Sequence, residues 1–223
     1  LSDLELSVFL LFEWNRNVVS INEQSALNLA ETLALAEEAI IKHPNIRGED
    51  KVITSDFYIT LNAKNKSMTS QMALQVKYAK DLDDPRTLEK IELERRFWKA
   101  KDVPFYIITE NDIPKTVSTN IKWLYPAKNT NLVTTSWGDF EYYSKQLTQH
   151  SNFTLIEFCK KCDTANDLDI GTSLSYMKAF LAHNYMSFDI TKDYRKLLCS
   201  DISIVEQKYY DYIIEEMKLV ANQ

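Results

Sequence analysis

Apolar residues recur at helical spacing in "LSDLELSVFLLFEWN" (1–15), where Leu4, Val8, Leu11 and Phe12 line one face. Ser2 stands before them as a helix N-cap, and Ser2-x-x-Glu5 has the form of a capping box. The pattern then changes. "VVSI" (18–21) predicts a short strand, "ALNLAETLALAEEAIIK" (26–42) a helix, and "HPNIRGED" (43–50) a turn-rich loop. "KVITSDFYITLN" (51–62) and "QMALQVKYA" (71–79) predict two strands joined by the polar "AKNKSMTS" (63–70), and we read them as neighbours in one sheet. "DDPRTLEKIELERRFWKAKD" (83–102) predicts the clearest helix, with Asp84 as N-cap and Pro85 at its first position. "VPFYIIT" (103–109) reads as a buried strand, and "NDIPKTVSTNIKWLY" (111–125) as another helix after Pro114. This succession predicts a mixed α/β layer.

"PAKNTNLVTTSWGD" (126–139) reads as a loop and places a domain boundary, giving an N-terminal domain over 1–130 and a C-terminal one over 131–223. Beyond it, "FEYYSKQLTQH" (140–150), "FTLIEFCKKCDTAN" (153–166) and "TSLSYMKAFLAHN" (172–184) read as helices. "YMSFDI" (185–190) reads as a strand, and "VEQKYYDYIIEEMKLVA" (205–221) as a terminal helix. Short helices followed by a strand suggest a small winged-helix-like domain.

With 223 residues and 45% hydrophobic content, the chain can build one large or two small cores. No uncharged apolar run approaches the roughly eighteen residues of a membrane span. Three cysteines, an odd number, argue for a reducing compartment, which for this chain means the cytoplasm. Cys159 and Cys162 have CxxC spacing, but no second CxxC or nearby His completes a four-ligand site. We read them as core cysteines on one face of a helix. His43, His150 and His183 have no Cys/His partner spacing either and read as non-catalytic, with His183 near a helix C-terminus. The chain begins at Leu1 rather than Met, so a further segment is expected before it.

The net charge is −6. From Asp139 onward there are 9 Lys+Arg against 13 Asp+Glu (−4), and before it 17 against 19 (−2). Neither half is a basic clamp that would hold DNA by itself. An enzyme of this charge acting on nucleic acid would need partners or a very local contact surface.

The chemistry sits on the two central strands. Asp56 is the one acid in "VITSDFYITL" and shares a face with Val52, Thr54, Tyr58 and Thr60. Nineteen residues later, Gln75 and Lys77 share a face with Ala73, opposite Met72, Leu74 and Val76. If the strands pair, Asp56 lies beside Gln75 and Lys77. The set has the form Asp…(Asp/Glu)-x-Lys with glutamine in the second acidic slot. Such a set suits metal-assisted phosphodiester hydrolysis: carboxylate and amide oxygens for a hard Mg²⁺ ion, lysine for developing negative charge or for the attacking water. Glu5 is the candidate third acid, although its capping-box spacing also accounts for it. Taken alone, the spacing is equally compatible with a solvated acid on an edge strand. Gln24 could approach the same site. Glu94, Arg95 and Arg96, with Lys90 and Lys99, read as the charged solvent face of a helix.

"LSDLELSVFLLFEW", "IKHPNIRG", "TSDF", "LQVK" and "RTLEKIELERRFW", in this order and spacing, resemble the TnsA family, the endonuclease subunits of heteromeric cut-and-paste transposases. The likeness is strongest over 1–125 and continues through "DTANDLDIGTSLSYMKAFLAHNYMSFDI". It implies a restriction-endonuclease-like, PD-(D/E)xK, N-terminal domain. It implies catalytic roles for Glu5, Asp56, Gln75 and Lys77, with metal held by Glu5, Asp56, Gln75 and the backbone carbonyl of Val76. The implied cofactor is Mg²⁺, with Mn²⁺ able to substitute. The implied activity is cleavage of the non-transferred strand at the 5′ ends of a transposon, on double-stranded DNA. The implied partners are a TnsB-like DDE transposase, which cuts and joins the 3′ ends, and a TnsC-like AAA+ ATPase, contacted in part through the C-terminal domain. The implied setting is the bacterial nucleoid, with no membrane partner. Members ordinarily carry a segment before "LSDLE". Two other readings compete: a decayed nuclease fold acting as adaptor between transposase and regulator, and a restriction or repair nuclease unrelated to transposition.

Overall fold

The computed structural model describes residues 1–62, 69–128 and 137–205. They form two compact units, Leu1–Pro114 and Lys115–Gln223.

The first unit is built on a four-stranded mixed sheet. Its elements run α1 (Asp3–Trp14), β1 (Val18–Ala26), α2 (Leu29–Ala39), β2 (Asn45–Ile46), β3 (Glu49–Asp50), β4 (Thr54–Asn62), β5 (Thr69–Val76), α3 (Pro85–Ala100) and β6 (Phe105–Ile108). β4 runs antiparallel to both β1 and β5, whereas β5 and β6 are parallel. Successive side chains on a strand face opposite ways, and the two cores follow from that alternation. Phe57, Ile59, Leu74 and Val76 pack with Leu4 and Val8 of α1. Ala73 packs on the other face with Ala36 of α2 and with Leu93, Phe97 and Trp98 of α3.

The helix starts are where side chains predict them. Ser2 caps α1 through a reciprocal box with Glu5, and Asp84 caps α3 ahead of Pro85. "HPNIRGED" is more ordered than a loop. β2 and β3 form a two-residue hairpin with Arg47 (φ 56) and Gly48 (φ 89) both left-handed, the geometry that matches strand twist. β1 extends five residues past the expected end at Ile21, to Ala26. It is an edge strand whose exposed polar positions carry no burial signal. β6 is a correction: it is the opposite edge of the sheet, so Tyr106 and Ile107 are exposed rather than buried.

The second unit contains α4 (Lys115–Lys128), α5 (Trp137–Gln149), α6 (Leu155–Ala165) and α7 (Thr172–Ala182), with a short antiparallel pair, β7 (Met186–Ser187) and β8 (Ser203–Ile204). Its core is aromatic: Phe140 meets Phe180 edge-on at 5.1 Å, and Tyr143 and Phe158 are buried beside them. The division between units therefore falls at Pro114/Lys115 and not in the 126–139 stretch. α4 belongs to the second unit because Asn120, fully buried, donates to the carbonyls of Ile190 and Lys192 and accepts the Tyr194 amide. Pro126, expected in a loop, lies inside α4, and the expected strand over 185–190 contracts to Met186–Ser187. The expected terminal helix (205–221) lies outside the described residues apart from its first position.

Candidate active site

Asp56, Gln75 and Lys77 meet where β4 and β5 stop pairing. The ladder runs from Asn62↔Thr69 to Phe57↔Leu74 and ends there. Side chains make the next two rungs. Gln75 Oε1 accepts the Asp56 backbone N–H at 3.3 Å, and Asp56 Oδ2 accepts the Val76 N–H at 2.8 Å. On its other side β5 pairs with β6 from Ala73 to Val76, and the Lys77 amide donates to the Ile108 carbonyl at 3.0 Å. The pleat also breaks here. Ser55 and Tyr58 both reach Trp98, the first by accepting its indole N–H at 2.7 Å and the second by stacking at 5.1 Å. Residues three apart on a regular strand face opposite ways. At this irregular position the Asp56 side chain reaches the Val76 backbone amide.

Asp56 is 5% exposed and Gln75 6%. The Lys77 ammonium lies 3.8 Å from Asp56 Oδ2, with its side chain 31% exposed. Gln24 donates to Asp56 Oδ1 at 3.2 Å, so the expectation that it approaches the site holds. The Asp56 pKa is raised, first by burial. The Val76 amide and the Lys77 charge oppose that rise, the Glu5 charge adds to it, and Gln24 opposes it. Glu5 thus sits within the electrostatic field of Asp56. Its carboxylate also accepts the Ser2 amide at 2.9 Å, so the cap and the approach to the site coexist.

Glu94 is a correction. It was read as part of a solvent face, yet it is 3% exposed. Ser55 Oγ donates to it at 3.0 Å, and Ser55 in turn accepts from Trp98. Burial pushes its pKa up to about 8; Ser55 opposes the rise, the Asp56 charge reinforces it and the Lys77 charge opposes it. Glu94 therefore carries a proton near neutrality, within electrostatic reach of Asp56 and Lys77. The sequence held a signal for it. Ile91, Glu94 and Trp98 fall at i, i+3 and i+7, which puts an acid inside an apolar stripe. Its neighbours behave as read: Arg95 and Arg96 pair with Glu92 on the surface, and Lys90 and Lys99 are exposed.

No three His, Cys, Asp or Glu side chains gather as a metal cluster among the described residues. The candidate donor set has another chemistry: two carboxylates, from Glu5 and Asp56, one amide oxygen and one backbone carbonyl. All are hard oxygen donors, a set that fits Mg²⁺ or Mn²⁺. Gln75 Oε1 has a second lone pair free while it holds the Asp56 amide. Cys159, Cys162 and Cys199 are free and buried, their thiols pushed up by burial, with Cys199 near 11. They are core residues, as read. No helix among the described residues is long and apolar enough to cross a membrane.

Comparison with known proteins gives this geometry a lineage. A family model described as TnsA-like endonuclease N terminal matches residues 15–110, which includes Asp56, Gln75, Lys77 and Glu94 but not Glu5. A second, TnsA endonuclease C terminal, matches residues 112–190 and begins near the division between the two units. The chain is similar to the Transposon Tn7 transposition protein TnsA of Escherichia coli, 39% identical over 222 residues, which is 100% of this chain and 79% of that protein. Two family models in tandem and a relative aligned over this whole chain converge with the buried Asp56 site, and the chain belongs to the TnsA endonuclease family.

Proposed function

We propose that this chain is a Mg²⁺-dependent DNA endonuclease subunit of a heteromeric transposase. It cleaves the non-transferred strand at the 5′ ends of the transposon during excision. A TnsB-like DDE transposase cuts and joins the 3′ ends, and a TnsC-like AAA+ ATPase regulates the assembly. The first unit is read as a PD-(D/E)xK nuclease fold, and the helices and short β7–β8 pair of the second as winged-helix-like. One observation carries the reading. In a member of the TnsA family, a buried carboxylate, an amide and a lysine converge where two strands part company.

Each residue has a task that its surroundings support. Glu5, Asp56, Gln75 and the Val76 carbonyl are the groups that would hold the metal. A bound Mg²⁺ would polarise the phosphate and lower the pKa of an attacking water. Lys77 keeps a part-exposed ammonium beside Asp56, where it can meet a scissile phosphate and stabilise its developing charge. The Val76 amide fixes the Asp56 carboxylate from one side, so the group is oriented before substrate arrives. Glu94, protonated near neutrality, adds a hydrogen-bonding group without adding a second buried negative charge. The net charge of −6 suits an enzyme that partners deliver to DNA.

The test uses end-labelled transposon DNA with the complete partner set. Asp56→Ala is expected to abolish 5′-strand cutting and leave 3′-strand joining intact. Survival of 5′ cutting sinks the assignment. Loss of both activities in a folded variant would favour an adaptor role instead.

A further inference from the structure

Gln24 has a backbone that its sequence does not explain. Its φ is 48°, in the left-handed region, and it is neither Gly nor Asn. Such a conformation costs roughly 1 kcal/mol or more for an L-residue and tends to persist at functional sites. No inserted residue causes it. β1 pairs with β4 at Glu23↔Phe57 and at Ser25↔Ser55, the same offset on either side. Gln24 is therefore the position across from Asp56, turned without a change of register.

The turned residue is held at both ends of its amide. Thr54 Oγ1 donates to Gln24 Oε1 at 3.1 Å, and the amide is oriented by Asp56, whose carboxylate can only accept and so calls for the NH2 end. Nε2 then donates to Asp56 Oδ1 at 3.2 Å. The two Asp56 oxygens are thus served differently. Oδ2 takes the Val76 amide and faces Lys77. Oδ1 takes Gln24, on the side of the edge strand.

We propose that Gln24 is a positioning residue for the metal site. It sets the rotation of the Asp56 carboxylate and holds it in place, with a lone pair on Oδ1 left for a divalent cation. Thr54 acts through it by locking the amide. Gln24 itself touches neither metal nor DNA. The proposal rests on the reading of Asp56 as a metal-binding carboxylate.

The experiment is calorimetric titration of the full chain with Mn²⁺ and with Mg²⁺, without DNA, alongside thermal unfolding. Gln24→Gly relieves the backbone and removes the side chain. It is expected to weaken Mn²⁺ binding by about 10-fold, the lower end of what outer-shell partners contribute, with an unchanged or higher unfolding temperature. Thr54→Val frees the amide without altering β1 and should weaken binding less, in the same direction. Wild-type affinity in Gln24→Gly overturns the proposal. If Gln24→Gly does not fold, Thr54→Val decides, and wild-type affinity there overturns it. Asp56→Ala separates the two layers. Binding that survives Asp56→Ala refutes the metal-site reading itself, whereas binding lost there but kept in Gln24→Gly refutes only the role of Gln24.

Discussion

Two buried aspartates, one in each unit, have opposite fates. Asp56 is 5% exposed and Asp163 is 3% exposed, so burial penalises both charges. At Asp163 that penalty is overcome. Ser173, through hydroxyl and amide, and Gly171, through its amide, hold the carboxylate below its ordinary range. These amides belong to the start of α7, one in its first turn and one on its N-cap, Gly171, which has no side chain to offer. Asp163, from α6, supplies the cap and meets the positive end of the helix dipole. At Asp56 one backbone amide, one lysine and one glutamine do not offset burial, and the pKa stays raised. A structural carboxylate is saturated by its donors. Asp56, the proposed metal ligand, is left short of them, and a bound cation would make up the difference.

The contrast predicts a double dissociation. Asp56→Asn keeps an acceptor for the Val76 amide and should fold as well as wild type while losing 5′-strand cutting altogether, measured on end-labelled DNA. Asp163→Ala should do the reverse. Orphaning the buried Ser173 amide and the half-buried Gly171 amide is expected to cost about 2 kcal/mol in urea unfolding, with cutting per folded molecule preserved. Equal stability losses in the two variants would dissolve the distinction.

Glu94 sharpens it through pH. Its folded pKa, near 8, lies above the ordinary 4.5, so folding takes up a proton between those values. Its contribution is therefore fully present below about pH 4.5 and is lost as pH rises through 8. Glu94→Gln should remove that slope. Its stability advantage over wild type should grow by about 1–3 kcal/mol from pH 5 to pH 9, read from denaturant midpoints. A parallel pH dependence in both proteins would show that Glu94 titrates normally. The smallest effect is expected at Gln75. Gln75→Glu adds a charge to a site with two carboxylates and should tighten Mn²⁺ binding several-fold, by roughly 1 kcal/mol in calorimetry. Unchanged affinity would count against a ligand role.

Much of this site was legible because its residues follow local rules. Ser2-x-x-Glu5 gives α1 its start, Asp84-Pro85 gives α3 its start, and period-2 spacing puts Gln75 and Lys77 together. Glu94 was easy to misread because its one signal, an acid in an apolar helix stripe, stands among surface charges, and its partner, Ser55, is 39 residues away in sequence. Gln24 was legible only as a neighbour, since a left-handed φ in a Gln has no sequence signature. β6 and β1 were misjudged for one shared reason. Whether a strand is central or at an edge is decided by sheet order, which its own residues do not encode. The same holds for α4, which Asn120 ties to a segment seventy residues on.

The fork between β4 and β5 also makes the protein its own sensor. The Val76 amide is protected by a carboxylate instead of a carbonyl. Its nuclear resonance and its exchange with deuterium should therefore follow the charge and position of one side chain. Cation arrival, proton uptake or a swing of Asp56 would each register at a single backbone nitrogen, before any strand of DNA is cut.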